Sequence, residues 1–352
     1  MKSKSLAPRV LLAGAALVGA GLWALAPRSR EDRERQNVMS MPDVFYAHRG
    51  LHDAGSGLTK QYRKTDDDYI ELARRMARKA GYGVGPENDE RPIAPENSLA
   101  AFAAACEAGY GIELDLQLTA DNKVVVVHDP DLLRVAGCPL RIADLTYDEL
   151  RHIPLFPNPS VYGDAKAETL SQAELEAEKI MPLPQQSQYQ HVPLFSDVLK
   201  VVAGRVPMIV EYKFEGNEWG ARQKLLMESG DALLRGYDGP YVVESFNPLA
   251  MRWYRQNHPE VFRGQLAQPS GFTGKSIENA VAWLAGKLGF NWISRPDFVA
   301  YDWSGGHSLP LRLVRALGVV PVAWTPRSAE ELQHCGRDFD YFIFESFVPQ
   351  KD

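Results

Sequence analysis

Cysteine is nearly absent. The three residues in 352, Cys106, Cys138 and Cys335, lie far apart. They have no metal-ligand spacing, and an odd, sparse set argues against a disulfide framework. Cys106 falls on an apolar helical stripe and is expected to be a buried thiol that packs as a small hydrophobe. A basic excess is absent as well. The net charge is -6 and the isoelectric point about 5.8, so nothing favours nucleic acid as a partner. No internal repeat is visible. The remaining composition, 45% hydrophobic and 24% charged, is that of an ordinary globular chain. The length suits one large α/β barrel or two smaller domains.

One stretch has no charge at all. Val10 to Ala26, VLLAGAALVGAGLWALA, follows Lys2, Lys4 and Arg9. At about 17 residues it is near the lower limit for spanning a bilayer, and it has no polar face. Ala24 to Ala26 mimics a signal-peptidase site, but Pro27 follows, so a signal anchor is expected ahead of a cleaved signal peptide. Arg28, Arg30, Arg33 and Arg35 come next. Basic residues on both flanks leave the orientation open, with the extracytoplasmic side favoured for the rest of the chain. The expected division is an anchor and basic linker over residues 1–38 and one catalytic barrel over 39–352.

From Val44 onward, short apolar runs alternate with helical stretches. GIELDLQL at 111–118 places Ile112, Leu114, Leu116 and Leu118 on one face and Glu113, Asp115 and Gln117 on the other. Further strands are expected at 44–47, 123–129, 207–213, 240–246, 262–268, 298–303, 319–325 and 341–345. Strand–helix alternation at this length implies a parallel sheet with helices outside. Nine strands are one too many for an eight-stranded barrel. The link TADN between 118 and 123 is too short for a parallel crossover, so KVVVVHD must fold back as a hairpin. Eight barrel strands remain. Residues 54–93 and 155–190 do not fit the alternation and are expected to be insertions at the rim.

In such a barrel the chemistry is built at the C-terminal strand ends. Strand one ends in His48-Arg49-Gly50. Glu113 and Asp115 share an inward face, as do Glu211 and Lys213, each pair two residues apart. The hairpin ends in His128-Asp129, and a later strand ends in Trp324-Thr325. Inward carboxylates are costly unless charge balances them. Three of them, offering only oxygen, suit one hard divalent cation, Mg²⁺ or Ca²⁺. Two histidines can serve as general acid and base. Arg49 and Lys213 can hold phosphate oxygens. This set fits metal-assisted phosphodiester hydrolysis.

The motifs AHRGLHD at 47–53, APENSLAAF at 94–102, GYGIELDLQLTADNKVVVVHDPDLLR at 109–134, DLTYDEL at 144–150, VPLFSDVL at 192–199, IVEYK at 209–213, ESFNP at 244–248 and VAWT at 322–325 follow one another in order. Together they resemble the glycerophosphodiester phosphodiesterases, which are similar to phosphatidylinositol-specific phospholipase C in having a (β/α)₈ TIM barrel. The resemblance implies that His48 and His128 are catalytic and that Glu113, Asp115 and Glu211 hold the metal. It implies phosphate-binding and site-ordering roles for Arg49, Glu96, Asn97 and Lys213. Phe246 and Trp324 are expected as walls for the glycerol or head group. The implied reaction releases an alcohol and sn-glycerol 3-phosphate from a small glycerophosphodiester. A lysophospholipase D-type activity on a membrane lipid and a catalytically silent binding barrel are the alternatives. The oligomeric state is left open.

The tripeptide Pro-Glu-Asn occurs twice, at 86–88 and 95–97. In the resembled family it precedes a helix and a Ser or Thr. Ser98 and the stripe Leu99, Phe102, Ala103 and Cys106 supply both after the second copy, which is expected to be the functional one. The first copy is expected to be loop. Three features depart from the family pattern: an amphipathic helix in the first insertion with Ile70, Ala73 and Ala77 on one side, the length of 155–190, and Glu345-Ser346 where Thr-Asp is usual. The other six histidines, His52 nearest the site, are expected on the surface or in packing.

Overall fold

The computed structural model describes residues 19–53, 65–83, 92–156, 190–215, 219–271 and 276–350. All nine expected strands are present: β1 (Tyr46–Ala47), β2 (Gly111–Leu118), β3 (Val124–Val126), β4 (Met208–Tyr212), β5 (Tyr241–Ser245), β6 (Arg263–Ala267), β7 (Phe298–Asp302), β8 (Val320–Trp324) and β9 (Tyr341–Phe344). Eight run parallel in the order β1-β9-β8-β7-β6-β5-β4-β2, and β1 pairs again with β2, closing a barrel. β3 pairs antiparallel with β2, Leu116 opposite Val126, as the short TADN link requires. The chain is an α/β protein with a (β/α)₈ TIM barrel.

The main helices, in chain order, are α1 (Asp67–Lys79), α2 (Leu99–Ala108), α3 (Phe195–Val202), α4 (Ala221–Arg235), α5 (Pro248–Asn257), α6 (Ile277–Gly286), α7 (Leu309–Ala316) and α8 (Ala329–Cys335). Each strand's outward residues meet them: Ile112, Leu114 and Leu116 pack with Phe102, Ala104 and Leu226. Inward residues fill the barrel in two levels. The lower one is apolar, with Tyr46, Ile209, Val242, Phe298 and Ile343 in one cluster. Glycine makes room for the rings: a Cβ on Gly111 would come within 2.6 Å of Tyr46, and one on Gly264 would strike Phe298. The upper level is polar and forms the site.

Ser98 caps α2 by accepting from the Ala101 N–H at 3.2 Å, as expected. α1 is present, but its buried face is Tyr69, Ala73 and Ala77, with Ile70 only half-buried. Phase explains the shift: Tyr69 lies one turn before Ala73, and its ring meets His52 and Phe344 edge-on. The helix packs on α2, and its start is tied to the mouth by the Asp66 N–H donating to the Ser346 carbonyl at 2.8 Å. Cys106 is half-buried rather than buried; desolvation still pushes its thiol up to about 11. The first Pro-Glu-Asn copy, most of the second insertion and the anchor run before residue 19 lie outside the described residues. Among the described residues no helix is long and apolar enough to cross a membrane.

The basic linker is part of the fold. Arg28 is buried, with its Nε 3.2 Å from Asp297 and its guanidinium donating to the Pro259 and Val261 carbonyls at 2.7 and 3.2 Å. A division at residue 38 therefore separates a residue that the barrel body encloses.

Candidate active site

The two loops that carry HRG and the second PEN interlock. Arg49 and Asn97 both adopt left-handed backbone, with φ of 56° and 54°. The Asn97 N–H donates to the Arg49 carbonyl at 2.9 Å, and the Arg49 N–H donates to Glu113 at 3.1 Å. Gly50 follows at φ 82°, and a Cβ there would meet the Ala101 backbone at 2.9 Å. Only glycine lets this loop turn so close to α2. The geometry explains the first and second motifs together: each loop holds the other, and both aim side chains into the barrel mouth.

A chain of ion pairs runs across that mouth. The Asn97 amide donates to Asp115 at 2.8 Å. Arg49 bonds Glu96 at 2.8 Å and stands 3.7 Å from Asp115. Lys213 bridges Asp115 at 3.2 Å and Glu211 at 2.8 Å. Arg134 grips both oxygens of Glu96, at 2.7 and 2.6 Å, and reaches Asp129. Asp129 in turn bonds His128 Nδ1 at 2.7 Å. Burial alone would raise Glu96, but Arg134 and Arg49 hold it well below the usual carboxylate range. Asp115 is likewise held down against its burial by Lys213, His128 and Arg49.

His48 sits between two carboxylates. Its Nδ1 lies 3.0 Å from Glu345, and its Nε2 lies 3.9 Å from Glu113. Glu345 also meets His52 Nε2 at 3.3 Å and Arg327 at 3.0 Å. Burial, with Arg49 adding to it, lowers His48 to about 4 against the pull of Glu345, so the ring is neutral near pH 7. His128 is also lowered by burial, then by Arg49 and Lys213. Gln117 steadies the turn before it, donating to the carbonyls of Val127, His128 and Asp129 at 2.9, 3.0 and 2.7 Å.

The acidic residues form a group larger than expected. Register places Asp115, Glu211 and Glu244 side by side on β2, β4 and β5. Glu113, Glu211 and Glu244 each present an oxygen within 4.8 Å of the others. Burial raises Glu113 well above the usual carboxylate range, and Asp115 and Glu211 raise it further. Glu211 is pushed up to about 7 by burial, with Lys213 opposing. An all-oxygen, buried and under-compensated cluster is the donor set of a hard divalent cation, and these residues fit one. Phe246, 43% exposed, and Trp324 meet edge-on at 5.7 Å at the mouth, with Lys213 Nζ 5.9 Å from the Phe246 ring.

Every expected site residue thus belongs to one connected constellation at the C-terminal strand ends. Five participants were not expected: Arg134, Glu244, His52, Arg327 and Glu345. Strand parity could have found two of them. Glu244 is two residues from Phe246, and Glu345 two from the core residue Ile343, so both point inward.

The profile of the glycerophosphoryl diester phosphodiesterase family matches residues 88–339, and the chain belongs to this family. A Bacillus altitudinis glycerophosphodiester phosphodiesterase is 45% identical over 58 residues, 16% of this chain and 24% of that protein. Bos taurus glycerophosphodiester phosphodiesterase 1 is 38% identical over 87 residues, 24% of this chain and 26% of that one. The match to Bacillus subtilis YhdW is longer, 25% identical over 178 residues, 50% of this chain and 62% of YhdW. The matched stretches therefore cover less than two thirds of these relatives. Among solved structures, an Oleispira antarctica phosphodiesterase in complex with the product sn-glycerol-3-phosphate superposes with a TM-score of 0.54 at 17% identity, over 86% of this chain and 92% of that one. A Silicibacter pomeroyi DSS-3 structure gives 0.55, also at 17%, over 92% and 93%. At that identity the likeness is one of fold.

Proposed function

We propose that the chain hydrolyses small glycerophosphodiesters to an alcohol and sn-glycerol 3-phosphate with the help of a divalent cation, Mg²⁺ or Ca²⁺. The observation that carries this is the pair of histidines, each with Nδ1 held by a carboxylate, beside a buried acidic cluster and the side chains of Arg49 and Lys213. In this reading His48, neutral at pH 7, takes the proton of the attacking hydroxyl, from water directly or from the neighbouring glycerol hydroxyl, in which case the cyclic phosphate formed as the alcohol leaves is opened by water to glycerol 3-phosphate. His128, with Asp129 behind it to stabilise its imidazolium, gives a proton to the oxygen of the leaving alcohol. Arg49 and Lys213 orient the phosphoryl oxygens. Glu113, Asp115 and Glu211 would hold the cation, which when bound lowers the charge that the nucleophile meets. The surroundings of His48, made of Glu345, Glu113, Arg49 and Arg327, are polar and favour a small diester over a lipid tail.

The test is glycerol 3-phosphate release from glycerophosphocholine and glycerophosphoethanolamine by the full-length chain, with Mg²⁺, with Ca²⁺ and with chelator. Release that the chelator stops is expected. No release with either cation would overturn the small-diester reading. Turnover of lysophospholipid in detergent would then establish the lysophospholipase D-type alternative, and inactivity on both would leave a binding barrel.

We also propose that the apolar run Val10–Ala26 holds the chain at a membrane, with the barrel on the extracytoplasmic side. The support is where this run meets the barrel. Trp23 stacks on Trp292 at 5.7 Å with Arg295 above it, and Leu22, Trp23 and Trp292 are exposed together. Tryptophan and arginine at the edge of an apolar segment suit a bilayer interface. The full chain is expected to sediment with phosphatidylcholine–phosphatidylglycerol vesicles. Recovery of the chain in the supernatant would end this proposal.

A further inference from the structure

Arg134 joins two loops of the barrel mouth. Its Nη1 and Nη2 donate to the two oxygens of Glu96 at 2.7 and 2.6 Å, a bidentate pair, and its Nε donates to Asp129 Oδ2. Glu96 belongs to the Pro-Glu-Asn loop and also accepts from Arg49 at 2.8 Å. Asp129 belongs to the turn that ends the hairpin, and its other oxygen, Oδ1, meets His128 Nδ1 at 2.7 Å. One path of charge-assisted hydrogen bonds thus runs from Arg49 through Glu96, Arg134 and Asp129 to His128.

The backbone of Arg134 is fixed separately from this path. It lies in the helical turn Leu133–Ala136, whose neighbours Leu132, Val135 and Ala136 are buried in a small core with Val125, Val127 and Ile142. The guanidinium therefore works from a rigid base, and altering its side chain leaves that core untouched. Asp129 is held differently. Gln117 fixes its carbonyl, but its carboxylate depends on His128 and Arg134. Burial alone would raise that carboxyl, yet His128 and Arg134 hold it below the usual carboxylate range. Without Arg134, Oδ2 would turn to water, and the carboxylate would be released to rotate away from the ring behind which it sits.

We propose that Arg134 is a positioning residue for the proton donor: it fixes the Asp129 carboxylate behind His128 and so keeps the imidazolium aimed at the oxygen of the leaving alcohol. The proposal rests on the hydrolase reading and deepens it. In the step concerned, the bond from phosphorus to that oxygen breaks and its electron pair stays on the oxygen. The proton on His128 Nε2 passes to the same oxygen, and Asp129 stays ionised throughout. Arg134 makes and breaks no bond. Its planar fork serves two carboxylates at once, a geometry that the point charge of a lysine does not reproduce. The rival account is that Arg134 only holds the mouth together, or serves Arg49 through Glu96. The leaving group separates the two. An alkoxide such as that of choline needs a proton as it departs, whereas p-nitrophenolate leaves without one.

The experiment measures kcat and KM of the full-length chain, with Mg²⁺ and with Ca²⁺, on glycerophosphocholine and on the p-nitrophenyl ester of glycerol 3-phosphate. Wild type, Arg134→Gln and Arg134→Lys are compared, each beside a melting curve. In Arg134→Gln, kcat on glycerophosphocholine is expected to fall by about 10²-fold, the lower end of what a general acid contributes, with KM little changed. The loss on the p-nitrophenyl ester should be at least tenfold smaller. Arg134→Lys keeps the charge and most of the stem, so it carries the test if Arg134→Gln does not fold. It should show the same bias between the two esters. Equal losses on both esters, a defect carried by KM, or wild-type turnover of glycerophosphocholine by Arg134→Lys would each overturn the proposal while leaving the hydrolase reading in place. Wild type that turns over neither ester would overturn the hydrolase reading and this proposal with it.

Discussion

Turnover of glycerophosphocholine is expected to fall by about 10²–10⁴-fold in His48→Ala, the range typical of losing a general acid or base. The cation affinity should persist, because none of the cluster residues is altered. Glu345→Gln is the informative companion. Glu345 accepts from His48 Nδ1 at 3.0 Å, which leaves Nε2 unprotonated and directed toward the side of Glu113. A glutamine amide can offer a donor where the carboxylate can only accept, and so disturbs the tautomer as well as the orientation of the ring. In the Ser-His-Asp triad, the equivalent change of a buried orienting aspartate to asparagine costs about 10⁴ in kcat. Here Glu345 is also bonded by His52 and Arg327, which keep it in place, so the effect should appear in kcat with KM little changed. Steady-state kinetics beside a melting curve check both. His48→Ala within threefold of wild type would remove the acid–base assignment. A Glu345→Gln defect carried by KM would mean that Glu345 shapes binding rather than the ring.

The legibility of this fold in its sequence follows from where each pattern was local. β2 could be read residue by residue because its period of two is unbroken over Gly111–Leu118, and its inward carboxylates follow from the same alternation. The hairpin followed from the length of one link. The PEN helix followed from a cap and a stripe within ten residues of each other. Glu244 and Glu345 carry the same parity signal as Glu113 and Glu211, but Glu244 stands at the end of β5 and Glu345 follows YFIF, and neither has a second charged residue two positions away as Glu113 has Asp115 and Glu211 has Lys213. A lone acid at a strand end reads as an edge residue until register places it beside others. The unusual Glu345-Ser346 end, which marks a departure from the family pattern, is the partner of His48 and the anchor of α1 at once. Arg134 lies inside a matched motif, yet its task depends on Glu96, 38 residues away, and no periodicity carries that information.

Arg28 shows the limit most clearly, and its removal is the second change expected to have a large effect. Four arginines in eight residues after an apolar run read as a membrane flank, and three of them are exposed or partly so. Arg28 instead pairs with Asp297, whose side chain is wholly buried, more than 260 residues away in sequence. Arg28→Ala would leave that carboxylate without its partner and two carbonyls without their donor. Breaking a buried pair from one side costs about 3–5 kcal/mol, so a large fall in the denaturation midpoint is expected. Asp297→Asn in the same background should recover part of the loss, since the stranded charge is then gone. The pH dependence has a definite sign. Burial pushes Asp297 up to about 7 even with Arg28 opposing, and without Arg28 it would stand higher still. A carboxyl raised on folding binds more protons in the native state than in the unfolded one. Stability then falls as pH rises through the window between the unfolded value near 4 and the folded one. The deficit of Arg28→Ala should therefore be smaller at pH 5 than at pH 8. A variant within 1 kcal/mol of wild type, or a deficit that grows toward acid, would show that residues before the first strand are not part of what holds the barrel together.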